Sequence, residues 1–322
     1  MVIVWRVTES CNLSCAFCGY ARDLPRRRRN ADPQAIRNFG ALLAEYQRAT
    51  DDPVLVSWLG GEPLLWQPLK DLTRLFHSKY GLRVSTTTNG TSLGSAEMRA
   101  HLLEHYAEVT VSVDAVGSLH DDLRGWAGGF DRLERYVTAL SREKRLANRG
   151  PKLKANVVLM RETLAGFEQL CIRLAAWGIE EITYNQLGGN DRPEFYPAHR
   201  LTPEQADWLV AELPRLRERL EGFGVRLRGT DAYARRIQAT ACGALLPIEN
   251  CHPGQTFLFI DEKGRVAPCS FSALDYGIPM QEVSSVRALR ELPLRFSDMR
   301  GQRRLLACQD CHSTQVFEKF NA

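Results

Sequence analysis

Apolar positions along the chain alternate between two rhythms. Short runs at Val2 to Val7, Val54 to Leu59, Arg83 to Thr88, Val109 to Asp114, Leu153 to Met160 and Glu181 to Leu187 read as strands. Between them apolar residues recur at helical spacing, as in Ala31 to Ala49 with Ile36, Phe39, Leu42, Leu43 and Tyr46. Asp32-Pro33 supplies that helix with an N-cap and a first-turn proline. Leu64 to Tyr80, Ser95 to His105, Phe130 to Arg145 and Phe167 to Trp177 read as further helices. Strand–helix alternation predicts parallel strands covered by helices, with functional groups at the carboxyl ends of the strands. Six units fall short of the eight of a closed barrel, so the expected fold is α/β, an open partial (β/α)6 barrel.

The pattern changes after Leu187. Pro203 to Phe223 reads as a long charged helix, Val225 to Arg228 as a short strand and Tyr233 to Ala239 as a short helix. From Cys251 onward the chain is dense in cysteine, glycine and proline, with a hairpin-like stretch from Thr256 to Cys269. The expected division is a barrel core over 1–187, a bridging helical region over 188–246 and a small cysteine-rich domain over 247–322.

With 322 residues, 44% hydrophobic and 25% charged, the composition is that of a globular protein. No apolar run reaches the roughly 20 residues of a membrane span, and no secretory signal is visible, so a cytoplasmic protein is expected. A net charge of +4 is too small to imply nucleic acid. The one dense basic run, Arg26 to Arg29, reads either as a solvated loop or as a grip on an acidic substrate. Nine cysteines without a secretory signal point to metal binding rather than to disulfides.

Cys11, Cys15 and Cys18 stand at CxxxCxxC spacing just after the first strand. Three thiolates bind three corners of a four-iron cluster and leave one iron open, whereas a structural site closes every position. Read alone, the three also fit a small zinc site. The octet, with Phe17 before its last cysteine, resembles the signature of the radical S-adenosylmethionine (SAM) enzymes, and the partial barrel is that family's core fold. The resemblance implies that the open iron chelates SAM, and that one electron from a donor such as flavodoxin or ferredoxin cleaves it to a 5′-deoxyadenosyl radical.

Further motifs fall at strand ends. Gly60-Gly61-Glu62-Pro63 resembles the family's GGE motif, which receives the SAM amino group. Thr88 and Asn89 end the third strand, while Ser112 and Asp114 share one face of the fourth and by resemblance reach the ribose hydroxyls. His120 to Gly125, followed by Gly128 to Asp131, is similar to the HDxxRG…GxFD stretch of MoaA-like and SPASM-type members, in which the arginine, here Arg124, pairs with the SAM carboxylate.

Cys251, Cys269, Cys308 and Cys311 form a second group. Four thiolates close either a tetrahedral zinc or a complete four-iron cluster, and spacing does not separate the two. The pattern resembles the twitch domain, a shortened SPASM domain with one auxiliary 4Fe–4S cluster, which implies two clusters in all. Cys171 lies on an apolar helix face and is expected to be packed. Cys242 reads as a spare ligand, a packed thiol or a hydrogen-atom donor to the substrate.

The reaction the resemblance implies is hydrogen-atom abstraction from an unactivated carbon. Two substrate classes fit: a ribosomally made peptide, epimerised or cross-linked, and a small polar natural product such as an aminocyclitol, dehydrogenated at an alcohol. A chain starting at the first strand is read as leaving no room for a fused peptide-recognition domain, for which a separate protein would substitute. The HDxxRG…GxFD stretch favours the peptide. The competing class is a structural metal-binding or partner-binding protein.

Overall fold

The computed structural model describes residues 1–249 and 251–314. Strands β1 (Val2–Thr8), β2 (Leu55–Gly60), β3 (Arg83–Thr88), β4 (Glu108–Ser112), β5 (Lys152–Leu159), β6 (Glu181–Gln186) and β7 (Arg226–Leu227) follow one another in a parallel array. Helices α1 (Pro33–Thr50), α2 (Leu69–Arg74), α3 (Ala96–His105), α4 (Ser118–Arg124), α5 (Gly129–Ala147), α6 (Phe167–Ala176), α7 (Tyr196–His199), α8 (Pro203–Glu221) and α9 (Asp231–Ala241) connect them. This is the α/β partial barrel that the alternation implies. Strand β8 (Phe257–Ile260) pairs parallel to the free edge of β1, and β9 (Arg265–Ala267) and β10 (Ile278–Pro279) continue antiparallel, so among the described residues ten strands form one sheet. Helices α10 (Val286–Gln302) and α11 (Leu306–Gln309) complete the described chain.

Sequence signals account for most boundaries. Asp32 caps α1 by accepting the Gln34 N–H, and Thr202 and Gln205 form a reciprocal capping box on α8. The expected helix from Leu64 to Tyr80 is instead broken into a 3-10 turn, α2 and a π turn over Leu75–Lys79, whose end is marked by the Tyr80 N–H reaching Leu75.

Trp5 on β1 and Trp58 on β2 are fully buried beneath Phe39 and Phe76, with ring centroids 5.7 Å (Trp5–Phe39) and 5.1 Å (Trp58–Phe76) apart. Truncating any of these rings would cost about 3–5 kcal/mol. At the amino ends of β4 to β7, Glu181 receives Lys152 at 2.7 Å, Lys154 at 2.8 Å and Arg228 at 2.8 Å. Burial opposes that charge, but the three cations hold the carboxyl down to about 2. This end of the sheet is closed by ion pairs, and the Cys11 loop, Glu62, Thr88 and Asn89 lie at the opposite end, where β1, β2 and β3 finish.

Candidate functional site

The loop after β1 carries Cys11, Cys15 and Cys18. Cys15 is buried and the other two are half-buried. Each sulfur has a donor turned toward it: Leu13 N–H to Cys11 at 3.5 Å, Arg124 Nη1 to Cys15 at 3.9 Å and Tyr20 N–H to Cys18 at 3.4 Å. Burial raises all three thiol pKa values, Cys18 to about 12, so binding of an electrophilic iron must displace their protons. Cys15 lies near enough to Cys11 and Cys18 that Cys11 raises the Cys15 thiol further and Cys15 raises that of Cys18. Three neighbouring thiols on one loop fit three corners of a polynuclear cluster, which takes one thiolate at each.

Two of the four consecutive arginines hold this loop. Arg28 donates to the carbonyls of Glu9, Tyr20, Ala21 and Leu24. Arg26 pairs with Glu9 at 2.5 Å and donates to the Gly19 carbonyl at 2.9 Å. They tie the loop down from within, a use that neither sequence reading of the run anticipates.

At the end of β2 the chain passes so close to the cysteine loop that side chains are excluded. A Cβ on Gly60 would lie 2.4 Å from the Thr8 carbonyl oxygen, and one on Gly61 would lie 2.3 Å from that of Ser10 and 3.0 Å from Cys11 Cβ. Glu62 follows, wholly buried. One carboxylate oxygen accepts the Thr88 hydroxyl at 2.8 Å and the Leu64 N–H at 3.1 Å, and the other accepts the Asn89 N–H at 2.6 Å. Burial pushes its pKa up to about 7 against the pull of those donors. The Asn89 amide donates to Asn12 Oδ1 at 2.9 Å and approaches Cys11 Sγ at 3.7 Å. Glycines, Glu62, Thr88 and Asn89 are thus brought together against Cys11.

On the other side of the loop the HDxxRG…GxFD stretch forms one hydrogen-bonded unit. Arg124 Nε and Nη2 grip Asp114 Oδ2 at 2.7 and 2.6 Å, while Asp114 Oδ1 accepts the Val158 N–H at 2.9 Å. Both partners are buried. Burial opposes the charge on Arg124, yet Asp114 raises its pKa. His120 Nδ1 accepts the Asp114 N–H, and burial drives that ring down to about 3, so it is neutral. Asp121 accepts the Gly128 and Phe130 N–H groups and starts α5. The Arg124 guanidinium lies 5.3 Å over Phe17, and the Ala16 N–H bonds the Leu123 carbonyl, so α4 and the cysteine loop are locked together. Ser112 ends β4 in register with Asn156 of β5. The Asp114 carboxylate faces Arg124, and only Nη1 of that guanidinium points toward the cysteines.

Cys251, Cys269, Cys308 and Cys311 line a single cavity with Phe271 and Arg300. Burial raises Cys251, Cys269 and Cys311, the last to about 11, and each is raised further by a neighbouring cysteine. Arg236 on α9, almost fully buried, donates to the carbonyls of Cys311 at 3.1 Å and Leu246, and its Nη2 lies 3.2 Å from Asp310. Nη2 of Arg236 and Oδ1 of Asp310 are spent on their mutual ion pair, but Nε of Arg300 and Nδ1 of His312 are buried without a hydrogen-bond partner, and both belong to residues at or beside this cavity. Such orphaned polar atoms fit a charged group in the middle. No sequence signal marks Arg236, whose role depends on a partner 75 residues away. Cys171 is buried, as expected. Cys242 is exposed at the carboxyl end of α9 and belongs to neither group.

A family model described as the radical SAM superfamily matches residues 5–173. Among curated relatives, the chain is 26% identical over 299 residues to an AdoMet-dependent heme synthase of Oleidesulfovibrio alaskensis, covering 86% of this chain and 71% of the relative. It is 24% identical over 279 residues to the mycofactocin maturase MftC of Mycobacterium tuberculosis, covering 85% of this chain and 65% of the relative. The chain therefore spans about two thirds of the length of MftC. Among solved structures, SuiB of Streptococcus suis bound to SAM superposes with a TM-score of 0.65 at 18% identity over 97% of this chain and 72% of that one, a likeness of fold. SuiB has also been solved with its precursor peptide SuiA.

Proposed function

Since the chain belongs to the radical SAM superfamily, we propose that it modifies a ribosomally made peptide by epimerisation or cross-linking, with SAM on a three-cysteine cluster and a second, auxiliary 4Fe–4S cluster. The observation that carries this reading is the convergence of two separate cysteine sets, three beside Glu62 and Arg124 and four around one cavity. Relatives that mature or bind peptides support the substrate class.

Cys11, Cys15 and Cys18 would hold the SAM-binding cluster, and Cys251, Cys269, Cys308 and Cys311 the auxiliary one. When bound, cluster and SAM supply a carbon-centred radical able to take a hydrogen atom from an unactivated carbon. The chain's own residues position and shield. Glu62 accepts the SAM ammonium group in its ionised form, and Arg124 offers Nη1 to the SAM carboxylate while Asp114 holds its other face. Asn89, Ser112 and Thr88 supply further hydrogen-bonding groups at the strand ends. Phe17, packed with Leu123, Met160 and Leu187, keeps water from the buried side of the loop. Cys242, exposed at the end of α9, is the hydrogen-atom donor in the epimerising version of this proposal, and the thiyl radical it leaves returns to the thiol with one electron from the external donor and one proton from solvent.

Anaerobic reconstitution should give roughly eight irons per chain, four for each cluster. Incubation with candidate peptides, SAM and reductant in heavy water then identifies the reaction. Deuterium at a peptide α-carbon marks epimerisation, and loss of two hydrogens marks a cross-link. Oxidation of an aminocyclitol with every peptide untouched would overturn the peptide assignment.

A further inference from the structure

Most arginines near the second cysteine group have a carboxylate. Arg304 takes Glu249, Arg303 approaches Asp275 at 3.5 Å and Arg295 pairs with Glu282 at 3.1 Å. Arg300 differs. It lines the cavity with the four cysteines, donates Nη1 to the Glu249 carbonyl at 2.7 Å and Nη2 to that of Ile248, and leaves Nε buried without a partner. Among the described residues no acidic side chain pairs with it. Arg236 stands at the Cys311 side of the group, donates to the Cys311 carbonyl at 3.1 Å and has Asp310, 3.2 Å from its Nη2, as its one carboxylate.

Arg300 is half-buried and its Nε is buried without a partner, so an anion in the cavity would be stabilised by this guanidinium and would satisfy it in turn. Neutral thiols are not such an anion. Four thiolates around a four-iron core are, because that assembly is a dianion that becomes a trianion on taking one electron. We infer that Arg300, supported by Arg236, is the counter-charge of the auxiliary cluster: it fixes the loop before Cys251 and holds the cluster's reduction potential high enough to take an electron from the substrate radical. Fixed positive charge beside the site stabilises the more negative reduced form, and local charge is among the main determinants of cluster potential. In the cross-linking version of the reaction the substrate radical loses one electron to the cluster and one proton to solvent, and the stored electron leaves to an external one-electron carrier. Arg300 is a positioning residue and touches no reacting atom. This inference rests on the auxiliary-cluster reading above.

The test is an anaerobic redox titration followed by electron paramagnetic resonance, in full-length protein reconstituted with iron and sulfide. Cys11, Cys15 and Cys18 are changed to Ala, so that a single cluster signal remains. Arg300→Gln should move the midpoint potential to more negative values and Arg300→Lys should restore most of it, with Arg236→Gln shifting it in the same direction. If Arg300→Gln fails to assemble the cluster while Arg300→Lys assembles it, charge is again the requirement. An unchanged potential in Arg300→Gln with its iron intact overturns the inference. So does failure of both variants to assemble, which would make Arg300 only a tie to the loop carbonyls. If the unaltered protein binds only about four irons, the auxiliary-cluster reading itself fails, an outcome distinct from either of these.

Discussion

Acidification should weaken SAM binding through one residue. Glu62 is fully buried, and burial raises its pKa from 4.5 to about 7 even with three donors on its carboxylate. In the unfolded chain the same group ionises near its ordinary value. The folded protein therefore retains a proton that the unfolded chain has lost, and stability falls as pH rises from about 4.5 to about 7. At about 1.4 kcal/mol per pKa unit, this amounts to roughly 3 kcal/mol, which a bound ammonium group would offset. Binding follows from the same linkage. Near pH 8 the site is mostly ionised and receives the SAM ammonium; near pH 6 only about a tenth of the molecules are ionised, so affinity should drop about tenfold. The SAM amine loses its own charge at higher pH, so the full profile is bell-shaped, with Glu62 responsible for its acid limb. Anaerobic calorimetric titration of the reconstituted protein with SAM at stepped pH measures this directly. Glu62→Gln should bind SAM more weakly at every pH and lack the acid limb. Wild-type affinity that stays flat between about pH 6 and 8, or an acid limb that persists in Glu62→Gln, would refute the assignment.

Arg124→Ala leaves the Asp114 carboxylate buried and unpaired, so urea unfolding should show a loss of about 3–5 kcal/mol, and a further Asp114→Asn change should recover much of it; no recovery would mean that the pair does not carry the cost. The same Arg124→Ala change should weaken SAM binding about ten- to a hundredfold, as measured by calorimetry. Gly61→Ala places a methyl group against the Ser10 carbonyl, and should remove about half of the iron while the four-cysteine cluster survives, whereas a full iron count would show that the loop can yield. Cys242→Ala should abolish deuterium incorporation into a peptide without changing iron content or 5′-deoxyadenosine release, and unaltered incorporation would remove Cys242 as donor.

Local signals were legible in the sequence, and long-range ones were not. Strands β1 to β6 could be read because each is a short run with apolar or β-branched residues beside a helix with its own period, as Ile36, Phe39 and Leu43 show on α1. The Cys11 loop could be read because all three thiols lie within eight residues. Glu62, Thr88 and Asn89 were visible as separate strand ends, but the hydrogen bonds joining them depend on parallel pairing of β2 with β3. Asp114 and Arg124 were each singled out for the cofactor, whereas their mutual ion pair appears only when α4 folds back on β4. Helix α10 escapes a reading by pattern because Pro293 interrupts it, although Ser285 caps it and Leu289, Leu292 and Phe296 form its buried face. With that helix unseen, Arg300 had no visible relation to the cysteines.

The path of the sheet bears on how the two cysteine sites can cooperate. Strand β8 pairs directly with β1, Trp5 opposite Ile260, so the turn of the β8–β9 hairpin lies at the same end of the sheet as the loop with Cys11, Cys15 and Cys18, while β9 runs back antiparallel and delivers Cys269 toward the amino end of β1. Adjacent strands are held about 4.8 Å apart by backbone hydrogen bonds, which side-chain substitutions leave in place. Arg6 on β1 reinforces the join: its Nε and Nη2 reach Glu262 at 2.8 and 2.7 Å, and its Nη1 reaches the Tyr20 hydroxyl at 2.5 Å. Because the Tyr20 N–H in turn points at Cys18, a continuous chain of polar contacts runs from the cysteine loop to the hairpin. In the proposed cross-linking reaction a substrate carbon would meet a radical from one site and give up an electron to the other. Since misplacement by 1 Å costs on the order of a hundredfold in rate, two sites fixed to one sheet suit that task better than two sites on separately moving loops.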